Sequence, residues 1–179
     1  MENTLGSPGA REKEEERLAK LYGYNITANY EKAGTFQHVV GMAAHIFKAP
    51  IAFVNFVDER STWITDSWGM QGITELDRGV TLCSHAILRD GVTVFEDAKE
   101  EPCLLSNPFV HGDFGLQFYA GAPIRTPEGF NIGIVGIGDT RPRKFSREEE
   151  KTLEGLAAIV MEELEERRER LNQDSSRQG

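Results

Sequence analysis

The feature that most constrains the fold is a nearly unbroken apolar run, IAFVNFV, at residues 51–57. The run is rich in β-branched and aromatic residues and shows little polar alternation, which is typical of a central strand covered on both faces. A helical pattern precedes it at residues 31–47, where apolar residues recur every three or four positions until Pro50 ends the helix. The sequence therefore predicts a buried central strand that directly follows a helix.

The other predicted elements complete an α+β domain. A long final helix is predicted from Ser146 to about Leu171, and Ser146 with Glu149 forms a capping box at its start. Because strands and helices do not alternate regularly, a doubly wound fold is excluded and α+β is favoured. The remaining predictions are a helix near residues 14–21, strands at 62–67, 92–95, 117–125 and 130–139, a helix at 81–88 and an irregular stretch at 97–115.

The length of 179 residues allows one domain with tails. We assign residues 1–13 to a disordered tail, 14–171 to the domain with its N- and C-terminal helices, and 172–179 to a second disordered tail. The predicted domain thus takes up most of the chain.

Charge and cysteine content limit the partners and the compartment. The net charge is −9, and the basic residues are scattered among acidic ones, which argues against nucleic acid or an anionic membrane surface as a partner. The chain has two cysteines, no apolar signal-peptide core and no apolar stretch long enough for a membrane helix. We therefore expect a cytoplasmic protein with reduced thiols.

Six short segments in order resemble the GAF domain family over roughly residues 33–165. They are APIAFVNFVDE at 49–59, LCSHAI at 82–87, VFEDAKEEP at 94–102, NPFV at 107–110, FYAGAPIRTPEG at 118–129 and IGIVGIGDTRPRKFS at 132–146. The resemblance implies a GAF/PAS-like twisted antiparallel sheet of five or six strands, with terminal helices on one face and a ligand pocket on the other. It also implies a sensor module in signal transduction that binds a small molecule or a signalling output protein and has no catalysis of its own.

Aromatic residues cluster where this resemblance would place the pocket. A small-molecule site is usually mostly apolar with a few placed polar groups, and no metal or cofactor is expected beyond an unidentified small-molecule ligand. A cyclic nucleotide, another small metabolite and no ligand at all remain open. The residues that we predict to bind the ligand are Trp63, Trp68, Cys83, His85, Phe109 and Tyr119.

Thiol chemistry is the first alternative, because some GAF domains are free methionine-R-sulfoxide reductases. Cys83 would be the nucleophile and Cys103 its partner, and a helix N-terminus or His85 would lower the pKa of the Cys83 thiol. The pattern around Cys103 does not match those enzymes, so we favour a binding module. Cys83, His85, Cys103 and His111 also lack the spacing of a structural zinc site.

A regular apolar seam on the last helix predicts association between copies. A heptad-like seam that faces a partner helix would bury this stripe in a homodimer built on the terminal helices, with Leu18 and Leu21 of the first helix widening the bundle. A dimerisation module with a vestigial pocket is the second alternative. The seam comprises Leu153, Ala157, Val160, Leu164 and Leu171, with Arg167 interrupting it.

Overall fold

The computed structural model of the chain describes residues 8–26, 35–70, 73–78, 86–104, 107–112 and 114–177. Two 3₁₀ turns, Ala98–Glu100 and Pro102–Leu104, lie between the fourth strand and a short helix. In chain order, the helices and strands are α1 (Pro8–Gly23), α2 (Gln37–Phe47), β1 (Ile51–Val57), β2 (Ser61–Trp68), β3 (Glu75–Asp77), β4 (Thr93–Phe95), α3 (Pro108–His111), β5 (Phe118–Arg125), β6 (Asn131–Asp139) and α4 (Arg147–Arg177).

The six strands form one antiparallel sheet in the order β3-β2-β1-β6-β5-β4. The predicted α+β fold is confirmed, and β1 has the bounds that its apolar run indicated. Strands β1 and β6 lie at the centre, and every residue of β1 is buried. The short edge strand β3 was not predicted, because three residues are too few to show a period.

Two apolar clusters cover the two faces of the sheet. Along β1, alternate residues belong to different clusters, as expected when successive side chains point to opposite faces. Ala52, Val54 and Phe56 join the helix-side cluster, which we define as the buried residues packed with α1, α2 and α4. Ile51 and Phe53 join the cavity-side cluster, which is covered by the turns between β4 and β5.

Helix α4 begins with the predicted capping box. The Ser146 backbone N–H donates to Glu149 Oε1, and the Glu149 N–H donates to Ser146 Oγ, both over 3.1 Å. These two bonds satisfy amide groups that have no partner within the helix. The capping box is thus confirmed.

The apolar seam of α4 does not face a partner helix over most of its length. Leu153, Ala157, Val160 and Leu164 are buried in the helix-side cluster of their own chain. The sheet and α2 already cover this stripe, so that part of the prediction is wrong. Of the predicted seam, Leu171 is 42% exposed.

Several element ends differ from their predicted positions. Helix α1 begins at Pro8, inside the predicted first tail, and α4 continues to Arg177, beyond the predicted end of the domain. Helix α2 begins at Gln37 rather than near residue 31, and the segments 27–34 and 79–85 lie outside the described residues. No helix in the described part of the chain is both long and apolar enough to cross a membrane.

Arg143 holds the C-terminal end of α2 against the sheet. Its guanidinium donates to the carbonyl oxygens of Phe47 over 2.7 Å and Lys48 over 3.1 Å, which satisfies acceptors at the helix end. The same group contacts Asp139 Oδ2 at 2.5 Å and lies 5.3 Å from the centroid of the Phe118 ring. Asp139, at the end of β6, therefore has a structural role.

Candidate ligand-binding site

A cavity of about 50 Å³ lies between the sheet and the segment that joins β4 to β5. The strands supply its floor, and residues of α3 and the following turn cover it. Among the described lining residues, Asn55 and Tyr119 alone carry side-chain oxygen or nitrogen atoms, and none is charged. The lining residues are Ile51, Phe53, Asn55, Ile64, Met70, Leu76, Phe109, Phe114, Leu116, Tyr119 and Gly138.

Aromatic rings of the chain itself occupy much of this face of the sheet, over glycines in β5 and β6. A Cβ atom at Gly136 would lie 2.3 Å from Cζ of Phe53, and one at Gly121 would lie 2.5 Å from Oη of Tyr119. Real Cβ atoms do not approach other atoms so closely, so these two rings require glycine beneath them. The space that these glycines leave is thus used by the side chains of Phe53 and Tyr119.

The rings of Phe53, Tyr119 and Phe95 form one aromatic stack. The Phe53 and Tyr119 centroids are 6.2 Å apart with an interplanar angle of 29°, and those of Phe95 and Tyr119 are 6.1 Å apart. Offset aromatic contacts of this kind add about 0.5–1.5 kcal/mol beyond the burial of their area. The stack therefore fixes one wall of the cavity.

The cover of the cavity consists of short turns with two half-buried phenylalanines. Phe109 and Phe114 meet edge to face with centroids 5.9 Å apart. Asn107 caps α3, since its Oδ1 accepts from the Phe109 N–H over 2.9 Å, and the Leu116 N–H donates to the Phe109 carbonyl over 2.9 Å. Most backbone hydrogen bonds in the described part of the cover join residues that are close in sequence, whereas ladders between strands hold the sheet below.

Asn55 is a buried polar residue in the floor of the cavity. Its Oδ1 accepts a hydrogen bond from the backbone N–H of Ile134 over 3.1 Å, across the pairing of β1 with β6. A β-bulge interrupts the pairing of β1 with β2 between Val54 and Asn55. Bulges re-aim side chains, and here the bulge lies where an amide group enters an apolar wall.

The structure brings two of the predicted site residues to the cavity and separates others from it. Phe109 and Tyr119 line the cavity. Trp63 packs against the helix-side cluster, and Trp68, at the end of β2, is 50% exposed. Cys83 and His85 lie outside the described residues.

The thiol alternative is not tested by the geometry. The backbone of Cys103 lies in the turn Pro102–Leu104, but its side chain is outside the described part of the chain, as is Cys83. His111 is exposed at the end of α3. Among the described residues, no group of three or more His, Cys, Asp or Glu side chains is arranged to hold a metal ion.

Sequence reasoning missed most of the aliphatic lining. Strict alternation along β1 would have put Ile51, Phe53 and Asn55 on one face. Alternation along β2 separates Ile64, which lines the cavity, from its neighbour Trp63. The two-residue period of the strands therefore indicates which residues line the cavity. Selecting large aromatic residues instead led to Trp63, which lies on the opposite face.

The fold and its motifs lead to a known family. Residues 33–164 match the model of the GAF domain family. The chain belongs to the GAF domain family. This confirms the resemblance that the six sequence motifs indicated.

One protein of named activity is similar in sequence to this GAF domain. A cyclic di-GMP phosphodiesterase of Pseudomonas aeruginosa is 35% identical over 127 residues, which is 70% of this chain and 22% of that protein. The chain thus spans under a quarter of the length of that relative.

Solved structures show the same fold at low sequence identity. The GAF domain of a phosphoenolpyruvate-protein phosphotransferase from Coxiella burnetii has a TM-score of 0.64 and 19% identity, covering 89% of this chain and 96% of that one. A type II free methionine-R-sulfoxide reductase from Thermoplasma acidophilum has a TM-score of 0.60 and 18% identity, covering 86% and 96%. One fold thus serves both a domain of a phosphotransferase and a reductase, so the fold alone does not choose between them.

Proposed function

We propose that this GAF domain is a sensor module in signal transduction that binds a compact, uncharged and largely apolar ligand in the cavity above β1 and β6. The observation that carries the proposal is the lining, in which apolar side chains surround one amide and one phenol. Pockets with this composition suit hydrophobic molecules that a few polar groups orient. The relative named as a phosphodiesterase of cyclic di-GMP supports a role in signalling.

The size of the cavity restricts the ligand. Its volume of about 50 Å³ is well below the roughly 300–1,000 Å³ of common ligand pockets. The space suits a group of a few heavy atoms, and a larger ligand would have to move Phe109 and Phe114. Both are half-buried and belong to the cover, so they are the side chains that we expect to move.

The lining argues against cyclic di-GMP itself as the ligand. Phosphate groups are recognised by Arg, Lys or clustered backbone N–H groups. No charged side chain is among the described residues that line the cavity. We therefore propose that the domain regulates an output protein and does not turn over a nucleotide.

A ligand panel tests this function. Thermal unfolding and calorimetry on the full chain would use indole as the apolar probe, with cyclic di-GMP and free methionine sulfoxide as the alternatives, after native mass spectrometry has shown whether a ligand is retained on purification. Indole is larger than the closed cavity, so its binding requires Phe109 and Phe114 to move as proposed above. We expect indole to stabilise the protein and the other two to leave it unchanged. Reductant-dependent turnover of methionine sulfoxide that Cys83→Ser abolishes would contradict the binding module in favour of the reductase.

A matched pair of variants ties any binding to the cavity. A Cβ atom at Gly138 would lie 2.8 Å from Cδ1 of Leu116, so Gly138→Ala crowds the cavity wall. Gly155→Ala is the control, because nothing lies within 4 Å of the added atom. Indole binding that survives unchanged in Gly138→Ala would place the site elsewhere.

We further propose a cytoplasmic homodimer that pairs through the terminal helices. Two partly exposed apolar residues support the pairing, Tyr22 on α1 at 43% and Leu171 on α4 at 42%. Within one chain, Arg168 of α4 lies 4.7 Å from the ring centroid of Tyr24, the residue after α1, and pairs with Glu165 of its own helix, so the two terminal helices already lie near each other. Sedimentation of the wild type and of Leu171→Glu decides the matter, and a wild type that stays monomeric at high concentration contradicts the dimer.

A further inference from the structure

Three charged residues form a largely buried polar cluster between α1 and one end of the sheet. We call Glu14, Arg17 and Arg78 the α1 clasp. Arg17 Nε and Nη2 each lie 2.9 Å from a carboxylate oxygen of Glu14, and Arg78 Nη1 lies 2.5 Å from the same carboxylate. The three side chains are 17%, 8% and 13% exposed, in that order. Ion pairs this far from solvent are screened less than surface pairs.

The two arginines also reach backbone carbonyls of the sheet. Arg17 Nη1 donates to the carbonyl of Val57 over 2.8 Å and to that of Asn131 over 3.3 Å, which are the end of β1 and the start of β6. Arg78 Nη1 lies 3.3 Å from the carbonyl oxygens of Asp58 and Glu59. The clasp therefore fastens α1 to the two central strands and to the turn after β1.

The strands that hold the clasp also form walls of the cavity. Asn55 lies two residues before Val57 on β1, and Leu76 lies two residues before Arg78, on β3. Strand β3 has three residues, is an edge strand and pairs with β2 at Ser61–Trp63. Two backbone hydrogen bonds flank this pairing, from the Ile64 N–H to the Thr74 carbonyl and from the Arg78 N–H to the Arg60 carbonyl. A short edge strand with few bonds belongs to the less stable part of a fold, so it moves more readily than β1.

We propose that occupancy of the cavity is transmitted to α1 through β3, with Leu76 contacting the ligand and Arg78 carrying its displacement to Glu14. A ligand that presses on Leu76 shifts β3, and this shift changes the distance between the Arg78 guanidinium and the Glu14 carboxylate. The docking of α1 then depends on what fills the cavity. For this, the ligand must bind one position of β3 more tightly than the other. The ligand-dependent half of this inference rests on the proposed function.

A double-mutant cycle tests the coupling without any ligand. Hydrogen–deuterium exchange of peptides covering residues 11–23 would be measured in the full chain for Leu76→Ala, Arg78→Met and the double variant, with circular dichroism as a check of folding. We expect each single change to speed exchange in α1 at least about threefold, and the double variant to match Arg78→Met alone. Effects that simply add would overturn the coupling.

The matched control is another ion pair of the same helix. Lys20 Nζ lies 3.0 Å from Glu128 Oε1, in an exposed pair with the β5–β6 turn and away from the cavity. We expect α1 in Lys20→Met to keep its full response to Leu76→Ala. If Lys20→Met removes that response as Arg78→Met does, the path through Arg78 is wrong.

Adding indole separates this inference from the proposed function. If indole binds, exchange in α1 should change in the wild type and not in Arg78→Met. Binding with no change in α1 would overturn the coupling and leave the proposed function intact. If indole does not bind, the proposed function fails, and the double-mutant cycle still decides whether β3 and α1 are linked. Where Leu76→Ala does not fold, Leu76→Val provides the milder perturbation for the same cycle.

Discussion

The two faces of the sheet are packed in different ways, although the same strands supply both. On the helix side, three helices cover residues such as Phe56 and Leu153, which have no exposed surface. On the cavity side, short turns cover the strands, and Phe109 and Phe114 remain half-buried beside an open volume. Dense packing and regular helices stabilise one face, while the other leaves a cavity beneath short turns. A single sheet can therefore be packed tightly on one side and leave space on the other.

The largest expected effect contrasts one leucine from each face. Leu153→Ala, on the helix side, should lower the free energy of unfolding by about 2–5 kcal/mol, because it opens a cavity in a filled core. Leu116→Ala should cost about 2 kcal/mol, near the lower end of that range, because its side chain already borders empty space. Urea unfolding of both variants measures the difference. Equal costs would show that the two faces are equally well packed.

The next effect concerns the rings over the glycines. Gly136→Ala should destabilise the protein by about 1–3 kcal/mol, since the new atom would lie 2.3 Å from the Phe53 ring. Adding Phe53→Leu should recover part of this loss, because the smaller side chain makes room. Gly91→Ala is the control, as nothing lies within 4 Å there. Thermal unfolding checks the series, and a double variant no better than Gly136→Ala would contradict the proposed contact.

An acid titration should affect the α1 clasp, which contains the carboxylate of Glu14, and not the uncharged lining of the cavity. Burial raises the pKa of Glu14, but the hydrogen bonds from Arg17 and Arg78 outweigh this, so the pKa lies below its ordinary value of 4.5. The stability that this group contributes is complete above pH 4.5 and is lost as the pH falls through the lowered pKa.

We expect exchange in α1, corrected for intrinsic rates, to accelerate in that acid range in the wild type. Glu14→Gln has no carboxylate to titrate at this position, so α1 in this variant should respond less steeply to pH. The described residues that line the cavity include no carboxylate, so they contribute no such titration. Equal pH responses of α1 in both proteins would remove the clasp as the acid-sensitive element.

The smallest expected effect is a stabilisation on the helix side. Gly155 lies within α4, and an added Cβ atom there meets nothing within 4 Å. Gly155→Ala should therefore raise the free energy of unfolding by up to about 1 kcal/mol, since glycine is a poor helix former. Calorimetric unfolding measures this gain. A loss of stability would mean that the surface of α4 at Gly155 is covered, for example by a partner helix.

Local patterns predicted the parts of the fold that local physics determines. The bounds of β1 and the capping box at Ser146 follow from apolar composition and from side chains that bond their own helix. Strand β3 was missed, because its pairing with β2 is a tertiary contact. The seam on α4 was misassigned, because an apolar stripe does not tell whether its own sheet or another chain covers it.

The candidate site was predicted less well than the fold. Phe109 and Tyr119 were placed from the expected position of the pocket, and both reach the cavity. The predicted role of Trp63 relied on its size and polar tip, whereas its position in the alternation of β2 determines which face it joins. Asn55 was overlooked, since a strand that is buried on both faces does not tell from its sequence which face borders a cavity, although alternation puts Asn55 on the face of Ile51 and Phe53.

The positions of the tryptophans have an optical consequence. Trp63 lies on the helix side of the sheet and Trp68 is half exposed to solvent, so neither indole ring borders the cavity. Tryptophan emission will report on the helix-side packing and on collisional quenchers such as iodide, and it will be nearly blind to a molecule entering the cavity. A flat fluorescence titration would therefore carry no information about occupancy, whereas the ring signals of Tyr119 in a nuclear magnetic resonance spectrum would.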